Sequence, residues 1–254
     1  MHIRRITAPN PSPLTLDGTQ TYLLGETAVL DPGPDLREHI DAILVAMPRL
    51  ATILITHRHG DHAPAAIPLS RATGAKIVAP RDVLGDDNVA QRVRGGESLV
   101  IGDEMIEVIA TPGHTNEHVC YFLRDGSLFT GDTILGSGTT AIFPPDGDMS
   151  DYLASLRMLR SRGPRRIYPA HGPIREDAVA LIDEYIAHRL QREAQIVDAL
   201  AVAGATIPQL RETIYPTLDV QLHRAAEIQL LAHLIKLRKE GRVNDAQGVY
   251  RLVS

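Results

Sequence analysis

The residues Thr56-His57-Arg58-His59-Gly60-Asp61-His62 follow directly on the apolar run Ile53-Leu54-Ile55. A run that short and that apolar reads as a strand buried on both faces. The fold must therefore deliver three imidazoles and a carboxylate to one strand end. Imidazole with carboxylate suits zinc or a similar transition ion. A lone histidine is more readily a surface or core residue; four ligand-type side chains in one short loop are a different proposition.

Three more residues repeat this local arrangement. His114 ends Thr111-Pro112-Gly113-His114, Asp132 ends Thr130-Gly131-Asp132, and His171 lies in Tyr168-Pro169-Ala170-His171-Gly172. Each is a polar residue beside glycine or proline, just beyond an apolar run. Loops at the same end of a sheet would bring all of them together, whereas scattered surface residues would not fall repeatedly into that pattern.

The scaffold around them reads as mixed α/β. Tyr22-Leu23-Leu24 and Ala28-Val29-Leu30 are strands about the turn Gly25-Glu26, and Asp31-Pro32-Gly33-Pro34 stops the sheet. An amphipathic helix is expected over 35–47, another over 64–73 with Gly74 as its cap, and a strand over 76–79. Further strands are expected over 105–110, 118–123, 127–130 and 166–168, with a hairpin around Asp125-Gly126 and a helix over 151–160. From 175 to about 203 the positions Val179, Ile182, Ile186, Leu190, Ala194, Val197 and Ala201 step by three or four, as on one long helix. Helices over 206–214 and 222–240 and a small hairpin spanning 242–252 follow, the outline of a winged-helix module. The chain thus divides into a mixed α/β unit carrying the candidate ligands, 1–174, and a helical C-terminal module, 175–254.

Composition narrows the function. The net charge of −5 gives no general attraction for phosphate backbones, and 4% aromatics without tryptophan leave little for base stacking. No run is long and apolar enough to span a membrane, so no membrane partner is expected. With one cysteine, Cys120, and no secretory signal pattern at the N-terminus, the expected location is the cytoplasm.

The ordered set His-x-His-x-Asp-His, Gly-His-Thr, Gly-Asp and Gly-His resembles the metallo-β-lactamase superfamily over about 10–175. Gly18-Thr19-Gln20-Thr21-Tyr22-Leu23, Gly138-Thr139-Thr140 and His233-Leu234-Ile235-Lys236-Leu237 resemble its lactamase-β-like-2 branch of hydrolases and endoribonucleases. The resemblance implies an αββα sandwich with two zinc ions at one edge. His57, His59 and His114 would hold the first, Asp61, His62 and His171 the second, and Asp132 would bridge them. Iron or manganese would be accepted by the same ligands. It also implies hydrolysis by a metal-bridging hydroxide that Asp61 orients. His59 stands where oxygen-reducing di-iron members carry glutamate, which disfavours redox chemistry. Asp132 stands where dedicated β-lactamases generally lack the bridge, which leaves β-lactam cleavage at most a side activity.

Weaker signals remain. His118 is a candidate proton donor to the leaving group, a group behind the metals, or merely the histidine that opens a strand. Cys120 reads as core, and His188, His223 and His233 as surface or packing residues. The segments Gly136-Ser137-Gly138-Thr139-Thr140 and Phe143-Pro144-Pro145-Asp146-Gly147 could border substrate or be plain turns. Net charge is +2 over 206–254 against −7 over 1–205, and Lys236, Arg238, Lys239 and Arg242 could meet phosphates or simply face a helix dipole. Two further readings of the module are a wall for the active site and a homodimer surface. The preferred substrate is a small ester, thioester or lactone. Single-stranded RNA is the alternative, and a non-catalytic metal-containing nucleic-acid regulator a lesser one.

Overall fold

The computed structural model describes residues 1–253. Its first sheet runs in the order β1 (Ile3–Thr7), β2 (Gln20–Leu24), β3 (Ala28–Leu30), β4 (Thr52–Leu54), β5 (Lys76–Pro80), β6 (Gln91–Val93). The first three strands are antiparallel neighbours, and β3 through β6 run parallel. Helices α1 (Arg37–Ala46) and α2 (Ala66–Thr73) make the crossovers into β4 and β5.

The second sheet contains β7 (Ser98–Ile101), β8 (Glu104–Ala110), β9 (Val119–Leu123), β10 (Ser127–Gly131) and β11 (Arg166–Pro169), ordered β11-β10-β9-β8-β7. Only β10 and β11 pair in parallel, through the crossover helix α3 (Met149–Ser161). Asp148 caps α3 by accepting from the backbone N–H groups of Ser150 and Asp151.

Strand alternation explains why the sheets stack. In β2, Tyr22 and Leu24 enter the core between the sheets while Leu23 meets the α1–α2 layer. In β9, Val119, Tyr121 and Leu123 face the other sheet while Cys120 meets α3. Each sheet is thus covered on both faces, and the apolar strands need no polar side. The layers are helix, sheet, sheet, helix, the αββα sandwich expected from the sequence.

Helix α4 (Ala178–Val202) joins two cores. Its first half packs Leu181, Ile182 and Tyr185 against α3; its second half packs Ile196 and Leu200 against α5 (Ile207–Ile214) and α6 (His223–Lys239). A hairpin of β12 (Val243–Ala246) and β13 (Val249–Leu252) closes the module.

Several expectations shift. β6 and β7 were not foreseen, being only three and four residues long; Gln91-Arg92-Val93 is mostly polar, and Ser98-Leu99-Val100-Ile101 is apolar but too short to stand out. α4 starts at Ala178 rather than near 175, because Arg175 exchanges backbone hydrogen bonds with Ile167 at 2.8 and 3.0 Å. The terminal hairpin turns on Gln247 and Gly248, both at positive φ, so its strands extend further than the composition of 244–248 suggests. Among the described residues, no helix is long and apolar enough to cross a membrane.

Candidate metal centre and active site

The seven ligand-type residues lie in loops that leave the C-terminal ends of β4, β8, β10 and β11. β8, β10 and β11 point the same way, since β9 is antiparallel to both β8 and β10. Two hydrogen bonds close the sheets together at this edge: Val119 N–H donates to the Thr56 carbonyl (3.0 Å) and Tyr121 Oη to that of Ile55 (2.9 Å).

Glycine permits the sharp approach of two ligands. Gly131, at φ +47°, precedes Asp132, and a Cβ there would lie 2.6 Å from Thr56 Oγ1. Gly113, at φ +139°, precedes His114, and a Cβ would lie 2.3 Å from the Cα of Tyr152. No other L-residue fits either position without displacing backbone or core.

Two groups of ligand atoms result. One atom each from His57, His59, His114 and Asp132 cluster within 4.8 Å, and so do atoms of Asp61, His62 and His171. Asp132 faces both. Its Oδ2 lies 3.5 Å from His114 Nε2 and 4.0 Å from His57 Nε2, while Oδ1 lies 3.4 Å from His62 Nε2 and 3.2 Å from His171 Nε2. Asp61 Oδ2 stands 3.4 Å from His62 Nε2 and 3.2 Å from His171 Nε2.

The inner atoms are held open from behind. His62 Nδ1 is 3.0 Å from Asp31 Oδ2, His114 Nδ1 2.8 Å from the Ala141 carbonyl, and His57 Nδ1 3.0 Å from Thr56 Oγ1. His57 Nε2, His62 Nε2 and Asp132 Oδ1 are buried and have no hydrogen-bond partner. Buried polar atoms are rarely left so. Three of them converging in a nitrogen–oxygen donor set fit cations better than any rearrangement of the protein's own hydrogen bonds.

Electrostatics distinguish the two groups. Burial first, then neighbouring imidazoles, push His57 well below the ordinary histidine value and His59 down to about 4, so both are neutral and able to donate a lone pair. Burial also opposes charge on His62 and His171, but the carboxylates outweigh it; those of Asp132 and Asp61, each 3.2 Å from Nε2, carry His171 up to about 9. Burial would raise Asp61 and Asp132, yet His62 foremost, with His171, holds both well below the usual carboxylate range.

His118 needs correction. It is buried, and burial above all keeps it neutral. Its Nδ1 lies 2.9 Å from Thr111 Oγ1 and 3.2 Å from Thr133 Oγ1, and its Nε2 accepts from the Asp132 backbone N–H at 3.2 Å. Both nitrogens are committed inside the fold, so His118 positions the Asp132 backbone and has no proton to give a leaving group. Cys120 is core as expected, its thiol pushed up to about 12 by burial.

Asp31 was missed, because Asp-Pro-Gly-Pro reads as a chain stop. It is fully buried at φ +48° and accepts from the Thr56 N–H and Oγ1, both at 2.8 Å, as well as orienting His62. The clue was its place just beyond an apolar strand, as for every ligand candidate. Asp31→Asn must turn an amide N–H toward either Thr56 or His62 Nδ1. It is expected to weaken cation binding about 10–100-fold, read by chelator competition, with little change in the thermal unfolding of the cation-free protein.

Beside the cluster lies a cavity of about 420 Å³, bordered by 12–16, Leu135, 137–141 and Phe143 together with His59, Asp61, His114, Asp132 and His171. Both segments that the sequence left open as substrate border or turn therefore contribute to it.

A family profile described as "Metallo-beta-lactamase superfamily" matches residues 14–171. The chain belongs to the metallo-beta-lactamase superfamily. It is a metal-dependent hydrolase of that superfamily, and a second profile, "Beta-lactamase associated winged helix domain", matches residues 206–250. Similar proteins include a beta-lactamase-like protein 2 homolog of Caenorhabditis elegans, 37% identical over 96% of this chain and 86% of its own length. An atrochrysone carboxyl ACP thioesterase of Cryptosporiopsis sp. is 28% identical over 94% of the chain and 80% of its own length. Among solved structures, a beta-lactamase domain protein from Burkholderia ambifaria shares the fold with a TM-score of 0.83 over 99% of this chain and 91% of its own, at 21% identity.

Proposed function

We propose that the protein is a dinuclear zinc hydrolase acting on a small acyl substrate, an ester, thioester or lactone. His57, His59 and His114 are the ligands of one ion, Asp61, His62 and His171 of the other, and Asp132 is shared. When bound, the ions supply Lewis acidity toward the substrate oxygen and an acidified water as nucleophile. The chain's own contribution is orientation. Asp61, one quarter exposed toward the cavity, aligns the attacking water through its carboxylate, which Thr19 Oγ1 steadies at 3.3 Å. His118 and Asp31 hold Asp132 and His62 in place from outside.

The observation that carries the choice of substrate is charge. Outside the ligand set, every residue lining the cavity is uncharged. Three of the basic residues of the C-terminal module are paired within the chain. Lys236 pairs with Glu193 and Glu240, each at 2.7 Å, Arg242 pairs with Glu193 at 2.8 Å, and Lys239 pairs with Asp148. A polyanion would find no row of free cations leading to the site. The thioesterase relative supports the same reading, and a lone buried cysteine suits the cytoplasm.

The test is one assay series on single-stranded RNA, a glutathione thioester, a lactone and a β-lactam, with and without chelator. Metal-dependent turnover of a thioester or lactone is expected. Metal-dependent turnover of RNA alone overturns the proposal.

A further inference from the structure

The cavity has an apolar side with its own construction. Leu14 is 67% exposed and Phe143 37%, and both border the cavity with Pro13 and Leu16. Single exposed apolar side chains need no explanation, but two that converge with others on one cavity beside a candidate catalytic centre mark a binding surface. Neither can fold away. Ser12 Oγ accepts from the backbone N–H groups of Leu14 (3.2 Å) and Thr15 (3.1 Å), Thr15 Oγ1 donates to the Asn10 carbonyl, and Ser12 N–H donates to the Leu16 carbonyl at 3.2 Å. That tight loop holds Leu14 at its tip. The Phe143 carbonyl accepts from Gly147 N–H at 2.8 Å, and neighbouring Ile142 has both its N–H and its carbonyl bonded to the Gln229 amide.

Resting on the acyl-hydrolase reading, we propose that the substrate's acyl part is an uncharged apolar chain or ring seated against Leu14, Leu16 and Phe143. Because the loops are already fixed, the apolar surface gains burial only when a ligand covers it, and little ordering entropy opposes binding. The volume of about 420 Å³ holds roughly a dozen water-sized groups, enough for an acyl part of about six to eight carbons with the head of its leaving group. A carboxylate at the far end of the acyl part is selected against, because Leu14, Leu16 and Phe143, on the side away from the ligand set, offer it no cation.

The zinc-loaded full chain tests this on thioesters of one thiol, N-acetylcysteamine, carrying acetyl, butanoyl, hexanoyl, octanoyl and succinyl groups. The value of kcat/KM should rise about three- to fourfold per methylene up to hexanoyl or octanoyl. Succinyl should fall at least about tenfold below butanoyl, which has the same number of carbons. In Leu14→Ser and Phe143→Ser the ratio of octanoyl to acetyl should drop about tenfold. That ratio is internal to each preparation, so partial folding or partial metal loading does not move it. A flat or falling chain-length series, succinyl matching butanoyl, or unaltered ratios in both variants overturns the proposal while leaving acyl hydrolysis intact. No turnover of any of the five thioesters overturns this proposal, and, if the lactone of the first series is also left intact, the acyl-hydrolase reading with it.

Discussion

Asp132→Ala is expected to lose both turnover and metal content, and His59→Ala to lower turnover together with part of the metal content. The wild type should carry about two transition ions per chain, one for each cluster of ligand atoms. Loss of Asp132 should empty both sites, since its Oδ1 faces His62 and His171 while its Oδ2 faces His57 and His114. Two cations held in neighbouring groups would repel, and a carboxylate shared between them would offset that repulsion. His59→Ala should strip chiefly the first ion, because His59 Nδ1 meets His114 Nε2 at 3.0 Å within that group alone. A bound cation contributes several kcal/mol of charge stabilisation, so kcat/KM should fall roughly 10²–10⁴-fold. Elemental analysis beside kinetics checks both statements. Undiminished activity in a metal-free preparation would refute them.

The ligand candidates were legible in the sequence because each is short-range: a polar side chain placed by glycine or proline at the end of an apolar strand. Their convergence was legible only through family resemblance, since nothing local states that β4 lies in one sheet and β8, β10 and β11 in the other. What escaped is what depends on distant partners. Asp31 resembles a turn residue until Thr56 and His62 are seen around it. His118 looks available until its two nitrogens are found bonded to Thr111 and the Asp132 backbone. Strand β6 hides in a polar stretch, because an edge strand with one free side needs little apolar sequence. Arg189 falls among the residues of an apparently amphipathic helix, yet it is buried, its guanidinium lying 5.4 Å from the centre of the Tyr152 ring.

Truncation after Gly204 is expected to yield insoluble or inactive protein, and Gln229→Ala a folded but poorly active one. Truncation removes Leu210, Leu230, Leu234 and Leu237, all nearly fully buried, and uncovers Ile196 and Leu200 on α4. At about 1.5–3 kcal/mol for each buried leucine, that loss is comparable with the whole stability of a typical domain. The module also reaches the site. The Gln229 side chain accepts from Ile142 N–H at 3.2 Å and donates to the Ile142 carbonyl at 3.0 Å, while Arg189 donates to the Thr140 carbonyl. Between those two anchored residues stands Ala141, whose carbonyl lies 2.8 Å from His114 Nδ1. One amide on α6 therefore steadies the loop that fixes a candidate ligand. Gln229→Ala should lower kcat/KM about 10–100-fold and speed cation loss to a chelator, with a smaller change in the unfolding of the cation-free protein. A soluble truncated enzyme with unchanged kinetics on small substrates and weakened RNA binding would instead make the module an independent nucleic-acid reader. The ion pairs from Lys236, Lys239 and Arg242 to Glu193, Asp148 and Glu240 argue against that outcome, because they engage three of the module's cations within the chain.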